Sequence, residues 1–156
     1  MKKLALLTLS LLAVSAFSPA LRAQKPRLTV SQTAKTTVLK VHYKPTFNLL
    51  AFPDLVFFGF GEKKGTTKFN FKSALFLSDL VFDIDKAIVL PVGTLDPKGD
   101  LVYTLPFGKK GLKTFSFYIQ ANVLHFTMTI FPKAGFIGKF LKSNLVKVIL
   151  GIGFGK

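Results

Sequence analysis

The chain has 156 residues, with 22 Lys and Arg against 7 Asp and Glu, a formal net charge of +15, 18 Phe, and no Cys or Trp. The lack of cysteine excludes a disulfide scaffold, thiolate nucleophiles, Fe–S clusters, cysteine zinc sites and a lipid anchor on an N-terminal Cys. The charge points toward anionic partners and says nothing about fold.

Met1-Lys2-Lys3 opens the chain with positive charge, and an apolar run follows from Leu4 to Phe17, broken only by Thr8, Ser10 and Ser15. Pro19 ends the run, and Ala20 and Ala23 offer small residues at a cut. This is the layout of a secretory signal peptide, shorter than the roughly 20 apolar residues of a spanning helix. Cleavage is expected after Ala23, which sends 24–156 to the periplasm, the cell surface or the medium as a single domain. Lys2, Lys3 and Arg22 leave with the signal, so 19 basic residues face 7 acidic ones over the remaining 133, and Arg27 is the only arginine. Lysine is a hydrated point charge without the bidentate fork of arginine. Such a field suits loose attraction to polyanions and not specific nucleic-acid reading.

The mature sequence reads as short β-segments between turns. Leu39, Val41 and Tyr43 alternate with Val38, Lys40 and His42. Leu55-Val56-Phe57-Phe58-Gly59-Phe60 is apolar on both faces, so its strand is either central and covered twice or carries a contact patch at Phe57, Phe58 and Phe60. Over 66–72, Thr67, Phe69 and Phe71 face inward and Lys68, Asn70 and Lys72 outward. Ser73 to Leu80 fits a short helix or a buried strand. In 114–120, Phe115, Phe117 and Ile119 point inside and Thr114, Ser116, Tyr118 and Gln120 outside. Val123, His125, Thr127 and Thr129 alternate with Leu124, Phe126, Met128 and Ile130. Ile137 to Leu145 fits a short helical turn before a last strand whose Val146, Val148, Leu150, Ile152 and Phe154 form one apolar face. Turn signals stand at 61–65, 96–100, 107–111 and 132–135. Pro53, Pro91 and Pro106 fall at strand ends, where a missing N–H does least harm. The pattern predicts an all-β antiparallel sandwich, Ig-like or jelly-roll-like with Greek-key connections, of about eight strands.

Residues for chemistry are few. His42 and His125 sit within β-runs on the faces that carry Lys or Thr, as solvent-side histidines. Asp79, Asp83 and Asp85 form the one acidic cluster, best read as partners for surface lysines. Asp96-Pro97-Lys98-Gly99-Asp100 makes a reversal and not a calcium loop. Gly151, Gly153 and Gly155 relieve bulk on the last strand, with no helix following to make a nucleotide fingerprint. No catalytic, cofactor or metal set is nominated.

Three segments carry a resemblance: the 96–106 stretch from Asp96-Pro97-Lys98-Gly99-Asp100 to Pro106, then Phe115-Ser116-Phe117-Tyr118-Ile119-Gln120-Ala121, then Lys142-Ser143-Asn144-Leu145-Val146. Over roughly 90–150 the chain resembles a small β-rich domain of secreted proteins from planctomycete-type bacteria. The resemblance implies a secreted β-sandwich and brings no assigned activity or functional residues. Gln120 and Asn144 are expected to tie turn backbones by side-chain hydrogen bonds.

The expected function is therefore that of an exported, non-enzymatic bacterial module with a basic surface. Its partners would be anionic cell-envelope polymers or lipid headgroups. The polyanion contacts expected are Lys63, Lys64, Lys68, Lys72, Lys109, Lys110 and Lys113. A small outer-membrane β-barrel is the alternative, suggested by the last strand, and a hydrolase using the acidic cluster comes third.

Overall fold

The computed structural model describes residues 24–44, 53–70, 76, 78–129 and 135–153. Residues 1–23, read above as a signal peptide, Phe71, Lys72, most of the 73–79 stretch, most of the expected 132–135 turn, Phe154 and Gly155 lie outside the described residues. The described chain is all-β and antiparallel. In order, its strands are β1 Arg27–Gln32, β2 Thr37–His42, β3 Leu55–Gly61, β4 Lys64–Phe69, β5 Leu80–Ile84, β6 Ile88–Thr94, β7 Asp100–Leu105, β8 Lys113–Thr129 and β9 Gly135–Ile152. They form three sheets, ordered β1-β2-β7, β6-β3-β8-β9 and β4-β5.

The four-stranded sheet is the middle layer, and its β3 explains why Phe57, Phe58 and Phe60 make no exposed patch. Successive side chains of a strand alternate in face. Val56 and Phe58 therefore enter a core with Leu39 and Val41 of β2 and Ile119, Ala121 and Val123 of β8. Phe60 packs half-buried on the same core, and Phe57 packs on a second core with Leu80, Phe82 and Ile84 of β5 and Phe140 of β9. Phe58 is fully buried. Gly59 lies directly beneath the Phe82 ring, where any Cβ would overlap it. The absent side chain is what lets the small sheet settle on the large one.

β8 and β9 pair from Lys113↔Ile152 to Thr129↔Gly135 as one continuous ribbon, about 55 Å long at ~3.4 Å per residue. The expected helical turn at 137–145 is strand instead. Ile137 to Lys142 and Leu145 face β8 partners, as in His125↔Lys139 and Leu124↔Phe140, and long-range pairing overrides an ambiguous local pattern. Between Gln120↔Leu145 and Asn122↔Lys142, β9 carries one residue more than β8. The resulting bulge disturbs the ladder around Ala121, Ser143 and Asn144.

The bulge is closed by side chains. Ser143 Oγ accepts from Ala121 N at 2.9 Å, and Gln120 Nε2 donates to Ser143 O at 2.9 Å. Gln120 Oε1 accepts from Asp83 N at 2.7 Å, and Asn122 Nδ2 donates to Val81 O at 3.1 Å. Gln120 and Asn122 thus stand in for a ladder along the second edge of β5. Gln120, expected outside, is fully buried because the small sheet covers the face it occupies. Asn144 bonds both Leu28 N (2.9 Å) and Leu28 O (3.0 Å), which fastens β1 to β9 across the open side of the sandwich. Gln120 and Asn144 bridge backbones as expected, but those of strands and not of turns.

Three smaller corrections follow from position in the sheets. Pro91 is internal to β6, tolerated because β6 is an edge strand with a register shift opposite Val56 and Phe57. Phe69 is exposed because it ends β4 in the outermost sheet. Thr67 is half-buried through its hydroxyl, which donates to Ile84 O and accepts from Ala87 N. The 96–100 turn forms as expected, with Asp96 Oδ1 accepting from Lys98 N and Asp100 N, both at 2.8 Å.

Candidate functional site: a basic end of the sandwich

Three segments meet at one end of the structure: the β1–β2 turn at 33–36, the β7–β8 loop at 106–112, and the end of β9. Backbone bonds hold them together. Lys109 N donates to Thr33 O at 3.1 Å, Lys110 N to Ala34 O at 3.4 Å, Gly151 N to Gly108 O at 2.7 Å, and Leu112 N to Gly153 O at 2.9 Å. Gln32 Nε2 adds a bond to Ile149 O at 2.7 Å. Thr37 Oγ1 donates to Phe107 O, fixing the loop where β7 ends. The approach is close enough that a Cβ on Gly108 would overlap Ala34, and one on Gly151 would overlap Lys110. That is the bulk relief read from the terminal glycines, directed at a crossing loop.

This arrangement brings Lys35 beside Lys109 and Lys110, with Lys113 at the first position of β8. The segments 27–38, 104–118 and 146–153 contain no acidic residue, so no carboxylate within them answers these four lysines. Clustered like charges in water raise the local potential and concentrate counter-anions.

The other expected contacts divide. Lys68 is committed to Asp79 at 2.8 Å. Lys64 lies 5.6 Å from the Tyr118 ring centroid in a cation–π contact, and Lys63 is at the β3–β4 turn, where its C=O accepts from Asp85 N. Lys72 lies outside the described residues. A second basic groove, lined by Lys25, Arg27, Lys139 and Lys142, also contains Asp83, which takes Lys142 Nζ at 2.6 Å. Of the acidic cluster, Asp79 and Asp83 each hold a lysine as read. The hydrogen bond from Lys142 holds the Asp83 carboxyl below the usual carboxylate range, against the opposing effect of burial.

The histidines differ from each other. His42 is exposed, and its Nδ1 lies 2.7 Å from Asp100 Oδ1, with Lys40 Nζ at 2.9 Å from Oδ2. Lys40, and then His42, hold the Asp100 carboxyl below its ordinary range. His125 is buried, which corrects the expected solvent position. It shares its face with Val123, an inward residue, and its Nδ1 lies 2.7 Å from buried Asp54 Oδ1. The Tyr43 ring meets it edge-on at 5.7 Å between centroids. Burial first, and the Asp54 charge second, push the Tyr43 phenol up to about 12. The pair joins β8 to the start of β3 inside the core. Among the described residues, no cluster of three or more His, Asp or Glu is arranged to hold a metal ion.

Sequence reading missed Lys35, because only the β-pairing brings it to the Lys109–Lys110 loop. It also placed Phe115 inside, whereas Phe115 is half exposed where the ribbon runs past the packed core. Comparison of the sequence with protein-family models and with curated proteins gave no match.

Proposed function

We propose that the chain is an exported, non-enzymatic β-sandwich that binds anionic polymers or lipid headgroups of a cell envelope through its basic end. The observation that carries this reading is the gathering of Lys35, Lys109, Lys110 and Lys113 on three segments without a carboxylate. The signal-like start supports the compartment. The near absence of arginine supports attraction to dense charge and not to a particular sequence or sugar.

The test is retention on a sulfated-polysaccharide resin. A variant with all four lysines changed to Gln elutes at markedly lower salt than the unaltered protein. A control with Lys44, Lys63, Lys86 and Lys98 changed to Gln loses the same charge and keeps most of the retention. Equal elution of the two variants means that net charge alone governs binding, and the assignment to this end fails.

A further inference from the structure

The basic end also exposes several large apolar side chains. Leu112 is 76% exposed, Ile152 52%, Phe115 51% and Phe107 40%. Lys113 and Ile152 are direct partners in the β8–β9 ribbon and therefore share a face, and Phe115 follows two residues on along the same face. Leu112 lies alongside, its side chain within 3.4–3.7 Å of where a Cβ on Gly153 would stand. Phe107 belongs to the loop whose next residues, Gly108 to Lys110, are bonded to Gly151 and to the 33–36 turn. Large apolar side chains and lysines without a carboxylate partner among the described residues thus stand together at one end.

We infer that this end docks on an anionic lipid bilayer, with Leu112, Phe115, Ile152 and Phe107 entering the headgroup–acyl boundary and Lys35, Lys109, Lys110 and Lys113 meeting the anionic headgroups. The inference rests on the polyanion reading above and narrows it to one partner. A soluble polyanion satisfies the lysines but leaves the four apolar side chains in water. A second copy of the chain covers the apolar groups but brings two sets of four lysines together with no acid among them. Only a lipid surface of negative charge takes both sets at once, as apolar area and basic charge do together in interfacial binding. The lysines stand beside the apolar groups, where flexible stems let their ammonium groups reach the headgroup level.

The probe is large unilamellar vesicles of phosphatidylcholine with phosphatidylglycerol, and phosphatidylcholine alone as control. The chain has no Trp, so Leu112→Trp is a single fluorescent reporter. On anionic vesicles its emission moves to shorter wavelength and is quenched by acyl-chain bromine. Neither change occurs with phosphatidylcholine alone or with soluble dextran sulfate. Partition by co-sedimentation falls about fivefold for each lysine changed to Gln. It falls at least about tenfold for Leu112→Ser with Phe115→Ser, two side chains whose exposure leaves the fold intact. Urea unfolding of that double variant checks the last point, and Ile152→Ser replaces Phe115→Ser if stability drops. Vesicle binding untouched by the serine substitutions, with unshifted emission from Leu112→Trp, overturns insertion and leaves the polyanion reading standing. Failure to bind both vesicles and dextran sulfate overturns both. A concentration-dependent dimer abolished by the serine substitutions assigns the apolar groups to a second copy and overturns the lipid inference.

Discussion

Replacing Gln120 by Leu removes one side chain that serves two strands. Its amide accepts from Asp83 N, donates to Asp83 Oδ2 at 2.9 Å, and donates to Ser143 O within the bulge. Leucine fills a similar volume but can do none of this. The Asp83 carboxylate keeps Lys142 and remains partly wet, so it loses little. The Asp83 N–H and the Ser143 C=O lose their Gln120 partner at a fully buried position. Each orphaned group costs about 1–3 kcal/mol, and the apolar burial gained offsets part of that. The expected loss is about 2–4 kcal/mol, a large share of the roughly 5–15 kcal/mol of a typical domain. Urea unfolding followed by circular dichroism measures it, and amide exchange at Asp83 accelerates in step. Gln120→Glu keeps the acceptor but loses the donors, and is destabilised at neutral pH by at least as much. Wild-type urea midpoints for Gln120→Leu, with the Asp83 amide still protected, would refute the claim that this side chain fastens the small sheet.

Gly59→Ala destabilises because its methyl must displace the Phe82 ring, and in a Phe82→Ala background the same change costs less; additive free energies in this double-mutant cycle would refute the close contact. Phe82→Ala alone empties a fully buried aromatic site and loses about 3–5 kcal/mol in urea unfolding. Tyr43 ionises late, since its folded value is about 12 against 10.0 for an unperturbed phenol. The unfolded chain therefore gives up this proton first, and stability falls as pH rises from 10 toward 12. Absorbance titration near the phenolate band should show one of the three tyrosines trailing, and Tyr43→Phe should remove that phase. Asp83 and Asp100 titrate below the ordinary 3.8, so their contribution is present above that pH and disappears as pH falls through their folded values. Asp83→Asn and Asp100→Asn should then lose stability at neutral pH, converge on the unaltered protein at strongly acid pH, and flatten the acid limb of the stability profile.

Much of the fold was legible because one face of most strands meets one core. Leu39, Val41 and Tyr43 follow period two and are all buried. The two-sided apolar pattern of β3 left open a strand covered on both faces or a contact patch, and the first is found. What misled was polar residues in the second core. Gln120 read as a solvent position, yet with Asn122 and Ser143 it closes a bulge and pairs the edge of β5, and no local pattern announces partners so far along the chain. His125 misled for the same reason, since its partner Asp54 is 71 residues away. The candidate site was half legible. Lys109-Lys110-Gly111-Leu112-Lys113 shows its mixture of charge and apolar bulk in sequence, whereas Lys35 and Ile152 join it only through strand pairing.

Lysine footprinting locates the binding surface residue by residue. Acylation of each lysine, read by mass spectrometry with and without anionic vesicles, should slow at Lys35, Lys109, Lys110 and Lys113 while Lys44, Lys63 and Lys98 react as before. Uniform protection, or protection centred on Lys63 and Lys64, would contradict the assignment of binding to this end.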